Sequence, residues 1–88
     1  MRQRYLEVTF RNGRPLAAYL YLPRPTGARA VRTSDAGRGV KIDYDASGTP
    51  IGIEITAPSA VTAAYLSAIL SSIGVGQLVP GEWAPLAA

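Results

Sequence analysis

Histidine and cysteine are both missing from the 88 residues. Without cysteine there is no disulfide, no thiolate nucleophile and no iron–sulfur ligand. Without histidine the usual near-neutral proton shuttle and the commonest transition-metal ligand are gone. A zinc enzyme, a haem protein and a Ser-His-Asp hydrolase are therefore set aside. Long apolar runs are also lacking. The longest apolar candidate, residues 60–73, contains three serines and a threonine and falls short of the roughly 20 residues a membrane helix needs. The stretch 5–10 is interrupted by Glu7 and followed by Arg11, so no signal-peptide core is read there. Absence of cysteine fits a reducing compartment, and the expected location is the cytoplasm, with no membrane partner.

Aromatics are few: one Trp, one Phe and five Tyr. Charge is modest, with nine Lys or Arg against six Asp or Glu and a formal net of +3. Nearly half the residues (48%) are hydrophobic, which suffices for one small core and argues against two domains. Residues 1–75 are read as a single α+β domain and 76–88 as a C-terminal arm or tail.

Periodicity supplies the elements. Leu6, Val8 and Phe10 alternate with Tyr5, Glu7 and Thr9, the period of a half-buried strand. Asn12-Gly13 suits a tight turn that needs positive φ, and Pro15 is expected to interrupt the ladder before a second strand at 17–22. That strand sends Ala18, Leu20 and Leu22 to one face and Tyr19 and Tyr21 to the other. Residues 28–34 read as a weak edge strand, with a short helix as the competing assignment, and 35–39 as a flexible connection. The clearest pattern is a hairpin of 40–44 with 51–56, whose parity sets the three isoleucines opposite Val40, Ile42 and Tyr44. One admissible register faces Lys41 with Glu54. Pro58 or Ser59 is expected to open a helix over 60–72, striped by Val61, Tyr65, Ile69 and Ile73, with Gly74 closing it. The predicted fold is thus an antiparallel β-meander of four or five strands covered by one C-terminal helix, followed by an irregular tail.

The run Asp43-Tyr44-Asp45-Ala46-Ser47-Gly48 and the strand Gly52-Ile53-Glu54-Ile55 together resemble the DUF2283 family, small bacterial and archaeal proteins of unknown function. Tyr19-Leu20-Tyr21-Leu22 and Val31-Arg32-Thr33 are similar to the family's preceding strands, and the resemblance spans about residues 5–60. It implies an α+β meander and brings no catalytic residue. It also admits an antitoxin-like or other heteromeric partner role.

Asp43, Asp45 and Glu54 are the acids close enough to share a site, and their expected role is structural, since calcium would need six to eight oxygens. No catalytic, cofactor-binding or metal residue is assigned, and no cofactor. The expected function is a non-enzymatic interaction module that self-associates. Its interaction residues are Tyr19, Leu20 and Tyr21 on the second strand and Trp83 and Leu86 on the arm, because that strand is apolar on both faces and one helix covers only one. The arm either stays loose or docks its indole on this core or a neighbour's. Nucleic-acid contact through Arg29 and Arg32 ranks below self-association and a protein partner, because the arginines are dispersed and no recognised motif accompanies them.

Overall fold

The computed structural model describes residues 4–79 and 81–87. Strands β1 (Tyr5–Arg11), β2 (Arg14–Tyr21), β3 (Arg32–Gly37), β4 (Val40–Tyr44) and β5 (Pro50–Ile55) form one sheet in the order β1-β2-β5-β4-β3. Every neighbouring pair is antiparallel. The chain thus builds a hairpin, then a three-strand meander, and joins the two through β2 and β5. The predicted α+β antiparallel architecture holds, with five strands and a helix packed on one face.

Turn chemistry explains the boundaries. Asn12 and Gly13 link β1 to β2 with φ of 52° and 76°, the two positive values that a type I′ hairpin turn demands. Pro15 lies inside β2 rather than ahead of it. It sits opposite Phe10, immediately after a register shift in which Leu16 is the extra residue; a bulge at a strand end is where a residue without an N–H can be held. The link from β3 to β4 repeats the turn geometry with Arg38 and Gly39, at φ 53° and 76°. Because this turn takes only two residues, Asp35, Ala36 and Gly37 belong to β3, and the expected strand at 28–34 is displaced to Arg32–Gly37. An arginine at positive φ carries no propensity signal, so the sequence pattern concealed the turn.

In the central hairpin Val40 faces Ile55, Lys41 faces Glu54 and Ile42 faces Ile53. Past Asp43 the register shifts, so Tyr44 meets Pro50 and not Ile51. The expected alternation of three isoleucines against Val40, Ile42 and Tyr44 therefore holds for two pairs and breaks at this bulge. In the connecting loop Asp45 Oδ1 accepts from the Ser47 and Thr49 N–H groups at 2.9 and 3.0 Å and from the Ser47 hydroxyl at 2.7 Å.

The helix starts later than its stripe suggests. Pro58–Ala60 is a 3-10 turn, Val61 is extended, and α1 runs Ala63–Ser72. Its N-cap is Thr62, whose Oγ1 accepts from the Tyr65 N–H at 3.0 Å. Neither Ser59 nor Pro58 serves, because Val61 must turn out of the helical path to be buried. Gly74 closes α1 at φ 81°, and Val75 N–H reaches back to the Leu70 carbonyl at 3.0 Å, the bond of a Schellman ending. Leu66, Ile69 and Leu70 of α1 pack on Leu20, Val40, Ile42, Ile53 and Ile55 of the sheet and on Leu22 just past β2. No helix among the described residues is long and apolar enough to cross a membrane.

The C-terminal segment is held rather than loose. Arg4 grips Glu82 through two bonds, Nε to Oε2 at 2.6 Å and Nη2 to Oε1 at 2.8 Å, and also donates to the Gly76 and Gln77 carbonyls. Trp83 and Leu86 are half-buried against the core, and Ala84–Ala87 forms a short helix, α2. The tail is therefore less irregular than its prolines and glycines imply.

Candidate functional site

Strand parity and α1 together decide which face is core. Ala18, Leu20 and Leu22 lie under the helix. Tyr19 and Tyr21 then point to the other side of the sheet, which no helix among the described residues covers. The register extends that side into two rows. One reads Tyr5, Tyr21, Gly52, Asp43 and Thr33 across the five strands; the next reads Glu7, Tyr19, Glu54, Lys41 and Asp35.

Three tyrosines meet at the β1–β2 end. Tyr5 and Tyr21 stack with centroids 4.6 Å apart and planes at 16°. Tyr19 and Tyr21 meet edge to face at 4.7 Å and 64°. Such pairs add about 0.5–1.5 kcal/mol beyond their buried area. The Arg24 guanidinium lies 5.2 Å from the Tyr21 centroid, and the Tyr21 hydroxyl donates to Glu7 Oε1 at 3.3 Å. Burial first, then the Glu7 charge, raises the Tyr21 hydroxyl above the usual tyrosine value.

A polar network occupies the β5–β4–β3 end. Tyr19 Oη donates to Asp43 Oδ2 at 2.8 Å, and the Thr33 hydroxyl donates to Asp43 Oδ1 at 2.7 Å. Asp43 is 7% exposed, so both carboxyl oxygens find donors where water is scarce. Tyr19 is held above the usual tyrosine value by burial and by that bond. Its hydroxyl acts here as a hydrogen-bond donor. Burial, with the neighbouring Asp43 adding to it, also raises the Glu54 carboxyl.

Gly52 makes this reach across the sheet possible. A Cβ placed there would stand 1.9 Å from Tyr19 Oη and 2.3 Å from Cζ. The Tyr19 ring must pass directly over β5 to meet Asp43, and only a residue without a side chain leaves the room.

The expected site residues separate accordingly. Tyr19 and Tyr21 share the open face, where Tyr5 joins them. Leu20 is fully buried beneath α1 and contributes to the core instead of a surface. Trp83 and Leu86 pack with that same core, so they do not form one patch with the tyrosines. Asp43 and Glu54 come together, whereas Asp45 is spent on its own loop. Arg32 lies over the Tyr44 ring, 4.0 Å from its centroid, and Arg38 over Tyr65 at 4.8 Å. Arg29 is exposed in the loop before β3; Arg2, counted with the basic residues, lies outside the described ones. Sequence reasoning missed Tyr5, Thr33 and the role of Gly52. A single glycine inside an alternating apolar strand was the available signal.

Residues 17–58 match the family model DUF2283, described as a protein of unknown function. The match begins in β2 and ends at the 3-10 turn, so β1, α1 and the C-terminal segment fall outside it, a shorter span than the residues 5–60 expected. It takes in Tyr19, Thr33, Asp43, Gly52 and Glu54, the residues of the cross-sheet network. No curated protein and no solved structure matches the chain.

Proposed function

We propose that this protein is a non-enzymatic interaction module that assembles with copies of itself through the β1–β2 side of its sheet. One observation carries the reading: large apolar and aromatic side chains stay exposed on the β1–β2 hairpin, Tyr5 on the tyrosine face and Phe10, by alternation, on the face of Leu6 and Val8. Tyr5 is 50% exposed, Phe10 53% and Leu16 50%. All three lie on the β1–β2 hairpin, and Tyr5 stacks on Tyr21 beside them. Apolar surface concentrated on one element is what an association site presents.

The chemistry of the open face agrees with a binding role. The Tyr19 and Tyr21 hydroxyls are donors, both raised above the usual tyrosine value, and the buried carboxyl is bonded to Tyr19 and Thr33. Rings with wet hydroxyls at their rim are common interface groups. Light scattering coupled to gel filtration, run over a range of micromolar concentrations, tests the proposal. The expected mass is a multiple of the 9.3 kDa chain. A mass of one chain at every concentration overturns it.

A further inference from the structure

We infer that the self-association proposed above, on which this inference rests, runs through the free edge of β1, which pairs antiparallel with β1 of a second copy about a two-fold axis at Val8. The two edges of the sheet are not alike. β3 is six residues long and is broken by a shift between Asp35 and Gly37. These are the features by which sheets discourage further pairing. β1 has seven residues, Tyr5–Arg11, with no proline, glycine or lysine among them. Its one irregularity places the extra residue, Leu16, on β2, so β1 itself runs on without interruption.

The direction of its backbone groups follows from the register. Leu22 N–H bonds to the Ile51 carbonyl at 3.1 Å, so the even-numbered residues of β2 direct their backbone groups at β5 and the odd-numbered ones at β1. Tyr5, Glu7 and Thr9, opposite Tyr21, Tyr19 and Ala17, therefore bond inward. Leu6, Val8 and Phe10 turn their N–H and C=O groups to the outer edge. Among the described residues no backbone bond reaches those groups. Three residues in alternation offer a second strand a ladder to bind.

Side chains choose the register. With Val8 on the axis, Val8 faces Val8 of the second copy and Leu6 faces its Phe10, an apolar row that covers the exposed phenyl ring. On the tyrosine face, Glu7 meets Thr9 of the second copy and Tyr5 meets its Arg11, a ring beside a guanidinium. Moving the axis to Glu7 would set two glutamates directly opposite each other and lift Phe10 off Leu6. Like charges in opposed positions disfavour that arrangement. The Val8-centred pairing makes one ten-stranded sheet from two molecules and brings both tyrosine clusters to the seam. Its occupant is a second copy of this chain.

The chain has no cysteine, so single introduced thiols report the register without interference. Glu7→Cys and Thr9→Cys are both at exposed positions and face each other across the proposed seam as a pair without mutual backbone bonds, the closely spaced kind. Under mild oxidation, mixing the two variants should give the mixed disulfide at least about tenfold faster than either variant links to itself. Phe10→Lys, at an exposed position, should return the molecule to a single-chain mass in light scattering. A Glu7→Cys homodisulfide as the fastest product overturns the register, as does assembly that persists in Phe10→Lys without the mixed disulfide. A single-chain mass for the unmodified protein overturns the self-association reading itself.

Discussion

The two faces of the sheet are built on different physics from the same strands. Under α1, Leu20, Ile53, Leu66 and Leu70 are wholly buried, and the contacts are aliphatic and without direction. On the opposite face Tyr19 reaches across β5 to Asp43, Thr33 closes on the same carboxyl, and Tyr5 stacks on Tyr21. The first face draws stability from area removed from water. The second draws its order from bonds with fixed partners and angles, each worth only about 0.5–1.5 kcal/mol net. A face of the second kind holds its side chains in place and still leaves apolar surface to offer. The two faces of one sheet are thus ordered by different interactions, area removed from water on one and directed bonds on the other.

The sharpest way to break that division is to damage each face in turn. Leu20→Ala removes a fully buried side chain from the dry face and should cost about 2–5 kcal/mol, read as a lower urea midpoint. If it cost no more than a change on the tyrosine face, the assignment of the core face would be reversed. Gly52→Ala is the corresponding test of the open face. Its Cβ would occupy the space of the Tyr19 hydroxyl, so the ring must leave and the Asp43 bond must break. The expected loss is about 1–3 kcal/mol, the penalty of stranding a buried acceptor. In a Tyr19→Ala background the same substitution should be nearly neutral, because nothing is left to displace. Equal costs in the two backgrounds would show that Gly52 serves the backbone alone.

Alternation made the dry face legible. Val40, Ile42, Ile53 and Ile55 announce a hairpin and its apolar side, and the Lys41–Glu54 pairing follows from the register. What alternation cannot convey is a residue that departs from its element's rule. Arg38 takes a positive φ that arginine rarely adopts, which concealed the end of β3. Ile51 slips out of register, so Tyr44 faces Pro50. Thr62 caps the helix because Val61 must be buried first, a tertiary demand invisible to a helical stripe. The open face was half legible for the same reason. Tyr19 and Tyr21 were evident from parity, but Asp43 and Thr33 join them only when β2, β5, β4 and β3 are set in that order, and sequence separation says nothing about strand order.

The smallest expected effects separate the two sides by the sign of their response to acid. Glu54, on the tyrosine face, has its carboxyl raised by burial and then by Asp43, so the folded chain holds that proton more tightly than the unfolded one. Stability from this group therefore falls as pH rises from about 4.3, the ordinary glutamate value, toward the folded value. Glu82, which clamps the C-terminal segment, has its carboxyl lowered, first by the hydrogen bond from Arg4. Its contribution is present above the ordinary glutamate value and is lost as pH falls below it. Urea midpoints measured from about pH 2 to 8 should show opposite changes in slope. Glu54→Gln should remove the decline that sets in above about pH 4.3, and Glu82→Gln should flatten the acid limb while lowering neutral stability by about 1 kcal/mol. If both variants flattened the same limb, Glu54 would be an ordinary solvated carboxylate, and the tyrosine face would lack the close Asp43–Glu54 pair at its centre.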